Sequence, residues 1–250
     1  MASMNRLKKR ILIIEDERAI LEGLCDLFSF HGYEVESCAD GQQGLEMALS
    51  QRFDIIILDV MLPSLDGFSI CNTLRRHDRT VPIVMLTAKT TEEDLIMGLS
   101  LGADDYVAKP FSIRALVLKV EAILRRTVGD ASQERYIVIH DRLCIDGATL
   151  EGTSRSNTGD TTIEFTRREF EILRYLLKHN DRPVSRGELL GEIWGYARAS
   201  EIETRTVDIH IAKLRKKIES DPKAPSVLTT IRGEGYRLLG ASFVTSSEQT

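Results

Sequence analysis

Several features that define specialised protein classes are missing from these 250 residues. The four cysteines form no CxxC pair and no metal-site spacing, so neither a zinc site nor a disulfide framework is predicted. No apolar run approaches the roughly 20 residues of a membrane-spanning helix. An early apolar run is interrupted by Glu15 and Asp16, which argues against a signal peptide. We expect a cytoplasmic protein with reduced thiols and no membrane association.

The chain also lacks the glycine-rich fingerprints of nucleotide enzymes, since it contains neither a P-loop nor a dinucleotide motif. Its formal net charge of −5 argues against a protein that coats nucleic acid over its whole surface. The charge is uneven, because residues 1–126 carry 15 Lys+Arg against 19 Asp+Glu, whereas residues 203–237 carry 8 against 5. A small basic surface is therefore compatible with an acidic chain.

The first half of the chain alternates apolar segments with amphipathic ones, a pattern typical of βαβ units and a parallel sheet. Near-continuous apolar strands indicate a sheet covered on both faces. Strands are predicted at 11–14, 33–38, 55–58, 82–86 and 105–108, and helices at 18–30, 42–50, 67–77, 91–101 and 112–126.

The pattern changes in the second half, which predicts a separate α+β domain. We expect domains at 9–126 and 136–240, joined by a polar linker at 127–135. Strands are predicted at 136–140, 143–146, 149–151 and 161–165, helices at 167–178, 186–193 and 203–219, and a hairpin within 227–239.

Polar side chains follow four of the five strands of the first half. Glu15, Asp16 and Glu17 follow strand one, Asp59 follows strand three, Thr87 strand four and Lys109 strand five. Ligands of open parallel sheets bind beyond the carboxyl ends of the strands. If strands one and three are neighbours, the carboxylates converge, and their repulsion predicts a bound cation. Hard oxygen ligands favour Mg²⁺.

Asp59 at such a site could act as a nucleophile on phosphorus, with Mg²⁺ and the Lys109 ammonium compensating the charge. Each residue also has an ordinary alternative. A single Asp or Thr after a strand is often a helix cap, and a Lys before a proline is often merely exposed. The complete set, in this order, favours the functional interpretation.

Four segments that contain these residues resemble a known protein family. The segments "ILIIEDE", "IIILDVMLPSLDGF", "PIVMLTAK" and "GADDYVAKPF" resemble the receiver domain of bacterial two-component response regulators. The resemblance implies a flavodoxin-like, doubly wound five-stranded parallel sheet in the order 2-1-3-4-5. It also implies that Asp59 accepts a phosphoryl group from a sensor histidine kinase. The implied Mg²⁺ ligands are Glu15, Asp16, Asp59 and the Met61 backbone carbonyl.

The same resemblance assigns a switch to the neighbouring strands. Thr87 and Lys109 would contact the phosphoryl oxygens, and Tyr106 would rotate when Thr87 is drawn inward. The bond between Lys109 and Pro110 would be cis. Met61, two residues past the nucleophile, has no group that could position a hydrolytic water, so we expect a long-lived phosphorylated state.

The segment 203–219 predicts an amphipathic helix. One stripe carries Val207, Ile211, Leu214 and Ile218. The opposite face is predicted to present Arg205, Thr206, Ile209, Ala212, Lys213 and Lys216. A basic face with an apolar centre suits a DNA major groove, although a basic helix alone is often only a solvated surface.

The segments "RTVDIHIAKLRKKIE" and "IRGEGYRL" resemble the winged helix-turn-helix domain of the OmpR/PhoB class over about 136–240. The resemblance implies promoter DNA as a partner, and RNA polymerase as a partner of the loop 195–202. Trp194 would either touch a phosphate or pack in the core. The implied base-side contacts are Arg205, Thr206, Ile209, His210 and Lys213, and the implied phosphate contacts are Arg215, Thr230, Arg232 and Tyr236, with Arg232 reaching the minor groove.

The family dimerises on phosphorylation through its fourth helix, fifth strand and fifth helix. That face usually carries cross-subunit ion pairs, and Asp105 with Lys119 could form one here. Another pair is replaced by Leu95 and Ala115, which predicts a more apolar contact.

Two alternatives compete with this non-enzymatic, phosphorylation-controlled regulator. One is a Mg²⁺-dependent aspartyl phosphatase, and the other is a DNA-binding protein with a static receiver half.

Overall fold

The computed structural model describes residues 8–88, 92–126, 135–155, 159–195 and 201–244. The chain divides into two compact units, Met1–Val120 and Glu121–Thr250. Most of the predicted linker, residues 127–134, lies outside the described residues, so its bounds remain a prediction. None of the helices in the described part of the chain has the length and apolarity needed to cross a bilayer.

The first unit contains a five-stranded parallel sheet in the order β2-β1-β3-β4-β5, which confirms the predicted fold. Strands β1, β3 and β4 are buried along nearly their whole length. The strands are β1 (Arg10–Ile14), β2 (Glu34–Cys38), β3 (Ile55–Asp59), β4 (Ile83–Thr87) and β5 (Asp105–Ala108), and the helices are α1 (Arg18–Phe30), α2 (Gly41–Ser50), α3 (Gly67–His77), α4 (Glu92–Ser100) and α5 (Ile113–Arg126).

The connection from β3 to α3 fixes the position of Asp59. Asp66 caps α3 by accepting a hydrogen bond from the backbone N–H of Ser69 at 3.0 Å. Gly67 follows at the first helical position, where a Cβ atom would lie only 2.1 Å from the carbonyl oxygen of Asp59. A side chain at this position would therefore displace the end of β3.

The second unit is an α+β domain with an antiparallel sheet in the order β12-β6-β7-β8-β9 and a separate β10–β11 hairpin. A π-helical turn at Leu190–Trp194 directly continues α7. The strands are β6 (Tyr136–Ile139), β7 (Leu143–Asp146), β8 (Glu151–Ser154), β9 (Thr161–Glu164), β10 (Leu228–Ile231), β11 (Gly235–Leu238) and β12 (Ala241–Val244), and the helices are α6 (Arg167–Lys178), α7 (Arg186–Leu189) and α8 (Glu201–Ile218).

Two features of this sheet differ from the sequence-based expectation. Strand β12 lies beyond residue 240 and pairs antiparallel with β6, so the sheet extends past the expected end of the domain. The strand expected at 149–151 begins later, at Glu151, because Leu150 adopts a left-handed φ of 60°. That conformation belongs to a turn, not to a strand.

Candidate metal centre and nucleic-acid interface

The acidic residues of the first unit meet at the carboxyl edge of the sheet. Strands β1 and β3 are neighbours, with Ile14 opposite Leu58, so Glu15 and Asp16 lie beside Asp59. Ligand oxygens of these three carboxylates lie within 4.8 Å of one another, and Glu15 and Asp59 are buried. The predicted convergence is confirmed, and this pocket could hold a metal ion.

The Lys109 ammonium lies among these carboxylates. Its Nζ donates to Glu15 Oε1 at 2.8 Å, to Asp59 Oδ2 at 3.0 Å and to Glu17 Oε1 at 3.0 Å. The Lys109–Pro110 peptide bond is cis, as predicted. Glu17 is the third acid predicted at the end of strand one, and its contact with Lys109 makes it part of this cluster.

The electrostatics of the pocket suit an additional cation. Burial, together with the charge of Asp59, raises the pKa of Glu15 to about 7, although the hydrogen bond from Lys109 acts to lower it. Burial acts to lower the pKa of Lys109, but hydrogen bonds to Glu15, Asp59 and Glu17 raise it overall. Glu15 Oε2 is buried and accepts no hydrogen bond from any described residue. A vacant buried oxygen in a cluster of excess negative charge fits the donor set of a hard divalent ion.

The backbone at the end of β3 orients the Asp59 carboxylate. Asp59 Oδ1 accepts hydrogen bonds from the N–H groups of Val60 at 2.7 Å and Met61 at 3.4 Å. The other oxygen faces Lys109. Because both oxygens are held, the carboxylate is fixed before any ligand arrives.

Thr87 and Tyr106 are brought together by strands β4 and β5. Thr87 is buried at the end of β4, and its side chain is hydrogen-bonded with that of Tyr106. Burial is the main cause that raises the pKa of the Tyr106 hydroxyl. A Cβ atom on Gly98 of α4 would lie 3.0 Å from Tyr106 Cε2, so the tyrosine ring is packed against α4. The structure brings the two predicted switch residues into contact.

The two charged residues of the predicted dimer face lie close together within one chain. Asp105 is fully buried, and its Oδ2 lies 3.0 Å from Lys119 Nζ of the same chain. The cross-subunit ion pair between them stays a prediction, and it would require Lys119 to exchange this internal partner for Asp105 of a second copy. Ala115 is exposed, whereas the side chain of Leu95 lies outside the described residues. Exposed apolar side chains also occur on α4 and α5, namely Ile96, Met97, Ile113 and Leu118.

Helix α8 has the predicted apolar stripe. Val207, Ile211 and Leu214 are buried, and Ile218 packs partly against the same core. On the other side Arg205, Ala212 and Lys216 are exposed, and Ile209 and Lys213 are half-buried.

Two residues predicted to approach DNA from α8 are buried instead. Thr206 is 4% exposed and His210 is 1% exposed. The His210 ring packs edge-on against Trp194 at 5.2 Å, and its Nδ1 lies 2.8 Å from the Thr206 carbonyl oxygen. The helix therefore buries a second strip of side chains beside its apolar stripe, and the expected DNA contacts of Thr206 and His210 are contradicted. Trp194 is fully buried, which confirms the core alternative.

Tyr236 also belongs to the interior. It is 3% exposed, and its hydroxyl donates to Asp208, so direct contact with a phosphate is contradicted. The guanidinium of Arg186 stacks over the Tyr236 ring at 4.9 Å, and Arg186 Nε donates to Asp208 Oδ1 at 2.7 Å. No local sequence signal identifies Arg186, because its partners lie on α8 and β11, far away in the chain.

The other predicted phosphate contacts, Arg215, Thr230 and Arg232, lie on or beside the β10–β11 hairpin. Arg215 donates through Nε to the Leu228 carbonyl at 2.8 Å and through Nη2 to Thr230 Oγ1 at 2.7 Å. Thr230 and Arg232 are exposed on the hairpin. This arrangement provides hydrogen-bond donors for an acidic backbone beside the exposed face of α8.

Comparison with known proteins identifies both units. Residues 11–121 match the response regulator receiver domain family, and residues 160–238 match the family "Transcriptional regulatory protein, C terminal". The chain is 41% identical to the alkaline phosphatase synthesis transcriptional regulatory protein PhoP of Bacillus subtilis, over 93% of this chain and 97% of that protein. The chain belongs to the OmpR/PhoB class of response regulators. It is also 39% identical to a probable transcriptional regulator of Guillardia theta, over 92% of this chain and 90% of the relative.

Solved structures of response regulators support the same assignment. A mutant of RitR aligns with a TM-score of 0.68 and 30% identity, covering 92% of this chain and 98% of that one. DrrB of Thermotoga maritima, an OmpR/PhoB homolog, aligns with a TM-score of 0.50 and 28% identity over 93% of this chain and 99% of its own.

This response regulator is a two-component transcriptional regulator with an acidic receiver pocket suited to phosphorylation and a DNA-binding domain. Its family consists of transcription factors, so the aspartyl phosphatase alternative does not apply. The receiver domain implies a histidine kinase partner, and the C-terminal domain implies DNA binding.

The buried His210 predicts a pH dependence of the DNA-binding domain. Burial, followed by the charge of Lys213, lowers the pKa of His210 from 6.5 to about 3, although the Thr206 carbonyl and Glu169 act to raise it. Below pH 6.5 the unfolded state takes up a proton that the folded state does not. The free energy of unfolding therefore decreases as the pH is lowered from 6.5 to about 3. We expect a loss of about 1–2 kcal/mol between pH 7 and 5.

Fluorescence of Trp194, the single tryptophan of the chain, reports unfolding of this domain in the full-length protein. The variant His210→Gln should flatten the dependence on pH in this range. An unchanged pH profile in the variant would assign the effect to other groups.

Proposed function

We propose that this regulator is switched by Mg²⁺-dependent transfer of a phosphoryl group from a sensor histidine kinase to Asp59. The observation that carries the proposal is the buried Asp59 carboxylate, held 3.0 Å from Lys109 Nζ beside two further acids. Phosphorylation would promote dimerisation and promoter binding, in keeping with the two units of the chain.

The proposed Mg²⁺ ligands are the carboxylates of Glu15, Asp16 and Asp59 and the backbone carbonyl of Met61. Glu15 has a longer side chain than the aspartate more common in the family, but it can still reach a metal. Mg²⁺ would supply positive charge that neutralises the phosphoryl oxygens as the nucleophile approaches. The vacant Glu15 Oε2 supports this ligand set.

The protein groups would carry out the transfer as follows. An oxygen of Asp59 forms the new bond to phosphorus while the P–N bond of the donor phosphohistidine breaks and its electron pair remains on the imidazole nitrogen, which takes up a proton. Lys109 leaves its partner carboxylates to meet a phosphoryl oxygen. Thr87 exchanges its hydrogen bond with Tyr106 for one to the phosphoryl group, which frees Tyr106 to rotate.

The proposed DNA interface follows the exposed basic surface of the second unit. Arg205, Ile209 and Lys213 would face the major groove. The backbone phosphates would be met by Arg215, Thr230 and Arg232, with Arg232 entering the minor groove. Arg186 joins this set because its guanidinium is partly exposed. Thr206, His210 and Tyr236 would support this surface from beneath. These assignments rest on burial and position.

Assembly on a promoter extends the proposal to a dimer and to RNA polymerase. A homodimer through α4, β5 and α5 would place two α8 helices about one turn of DNA apart, on a direct repeat. Exposed apolar residues on α4 and α5 support an apolar contact. The loop 195–202 would face RNA polymerase, and residues 196–200 of this loop lie outside the described residues.

Met61 predicts a slow loss of the phosphoryl group. It is 56% exposed beside the pocket, and its thioether cannot orient a water molecule for attack. We expect the purified phosphoprotein to persist for many minutes, and Met61→Asn, which supplies a polar amide, to dephosphorylate several-fold faster. Intact-mass measurements over time follow both proteins, and a half-life of seconds for the wild type would contradict the prediction.

Arg232 predicts a measurable electrostatic contribution to DNA binding. It is exposed at the hairpin tip and would release a counterion on binding a phosphate. Arg232→Ala should weaken binding to all sequences and reduce the slope of log K against log salt by about 1. Fluorescence anisotropy with a promoter duplex at several salt concentrations measures the slope. Lys223→Ala, at another exposed position, is the control, and equal slopes for both variants would remove Arg232 from the interface.

Genome-wide footprinting with and without a phosphoryl donor tests the proposed function as a whole. The wild type should gain occupancy at a defined set of promoters when phosphorylated, whereas Asp59→Ala should not. Equal occupancy for both proteins in both states would favour the alternative of a static receiver half.

A further inference from the structure

A cavity of about 590 Å³ lies within the second unit, and none of the residues proposed to meet DNA lines it. Its walls come from the β6–β7 turn, the end of β8, the last residues of α8 and the start of β10. Ile139, Leu143 and Val227 are the most deeply buried of its lining residues. This volume is in the range of small-molecule sites. Neither the sequence motifs nor the proposed regulatory function gives this cavity a role.

Two arginines lie directly opposite each other at the rim of this cavity. Leu143 pairs with Ser154 in the β7–β8 ladder, and the next pair outward is Arg142 with Arg155, whose backbone N–H donates to the Arg142 carbonyl at 2.7 Å. Both side chains are exposed, and neither guanidinium has a carboxylate partner within the described part of the chain. Like charges directly opposite on a sheet destabilise it, so this pair is unfavourable unless an anion is present.

The other polar groups of the cavity do not neutralise the two arginines. His140 lines it with them, and so does Lys217, whose ammonium is already paired with Glu169. Glu219 is the one carboxylate among the lining residues, but its oxygens accept backbone N–H groups of residues 226–228 at 2.7–3.2 Å. Its capacity as an acceptor is therefore used within the protein, and the charged groups still available to a ligand are the guanidinium groups of Arg142 and Arg155.

We propose that this cavity binds a small phosphate-bearing molecule through the guanidinium groups of Arg142 and Arg155. Paired guanidinium groups match the geometry and charge of phosphate oxygens. The concave shape and the apolar side chains of Leu143 and Val227 favour a small molecule over an extended acidic chain. Since the wall includes the last residues of α8, an occupant would connect the N-terminal sheet with the end of the helix proposed to bind DNA.

Inorganic pyrophosphate is the probe that tests the proposal. In the full-length protein, with ionic strength kept constant by chloride, it should raise the unfolding temperature reported by Trp194 fluorescence. Titration calorimetry should give a dissociation constant at least tenfold weaker for Arg142→Gln/Arg155→Gln. Without the probe this double variant should be as stable as the wild type or more stable, because a repulsive pair is removed.

A second double variant separates this cavity from the DNA face. Arg205→Gln/Arg232→Gln removes two charges from that face and should keep the response to pyrophosphate. An equal loss of pyrophosphate affinity in both double variants would overturn the proposal. So would a wild-type unfolding temperature that rises no more with pyrophosphate than with chloride. Binding of a polyglutamate peptide with no binding of pyrophosphate would also overturn it, because the occupant would then be an acidic chain.

Discussion

Replacing Lys109 with methionine is expected to slow phosphoryl transfer to Asp59 by about 100-fold or more while tightening Mg²⁺ binding by about tenfold. The two effects have opposite directions because Lys109 has two roles. Its Nζ donates to Glu15 and Asp59 without a ligand, so it competes with a metal ion for these oxygens. During transfer the same ammonium would neutralise a phosphoryl oxygen, and methionine cannot replace that charge.

The two effects are measured separately on the purified protein. Intact-mass time courses with acetyl phosphate give the rate of transfer, and titration calorimetry gives Mg²⁺ affinity. Lys9→Met is the matched control, because it removes an ammonium paired with Asp54 at 2.6 Å at the opposite edge of the sheet. Unchanged transfer in Lys109→Met, or weakened Mg²⁺ binding, would contradict the role assigned to Lys109.

Glu169→Gln is expected to lower the free energy of unfolding of the DNA-binding domain by about 2–4 kcal/mol. Glu169 is fully buried, with its Oε2 2.5 Å from Lys217 Nζ and its Oε1 3.7 Å from Lys213 Nζ. It also completes a capping box with Thr166 at the start of α6. Glutamine keeps the size of the side chain but leaves both lysines without their buried counter-charge.

The pKa of Glu169 predicts how its contribution to the stability of the domain depends on pH. Burial acts to raise the pKa, but the charges of Lys217 and Lys213 and the hydrogen bonds lower it overall from 4.5. Because the folded pKa lies below the unfolded value, the stabilising contribution is present above about pH 4.5 and disappears as pH falls further.

Urea titrations followed by Trp194 fluorescence measure the effect of Glu169→Gln in the full-length protein. Asp160→Asn removes an exposed carboxylate of the same domain and should change stability by less than about 0.5 kcal/mol. Equal midpoints for Glu169→Gln and the wild type at neutral pH would show that the buried carboxylate contributes nothing net.

The receiver pocket was predictable because its geometry follows from local patterns. Glu15, Asp59, Thr87 and Lys109 each directly follow or end an apolar strand, and parallel strands place these ends at one edge. Glu15, Asp59 and Lys109 therefore converge as expected. The partner of Asp105 within the chain was harder to predict. Its pairing with Lys119 depends on how α5 lies beside β5, which the sequence pattern does not reveal.

The DNA-binding unit was predicted less completely because its surface depends on long-range packing. The apolar stripe of α8 identifies one buried face, but the contact with Trp194 buries His210 on a second face. Similarly, Tyr236 is withdrawn from the surface by Asp208 on a different element. Strand β12 depends on pairing with β6, about a hundred residues away.

The central claim is that the acidic cluster around Asp59 accepts a phosphoryl group with the help of a divalent ion. Intact-mass spectrometry of the full-length protein after treatment with acetyl phosphate tests this most directly. The account predicts a gain of about 80 Da for the wild type with Mg²⁺, and none with EDTA or in Asp59→Asn. An unmodified wild type with Mg²⁺, or equal modification of Asp59→Asn, would contradict it.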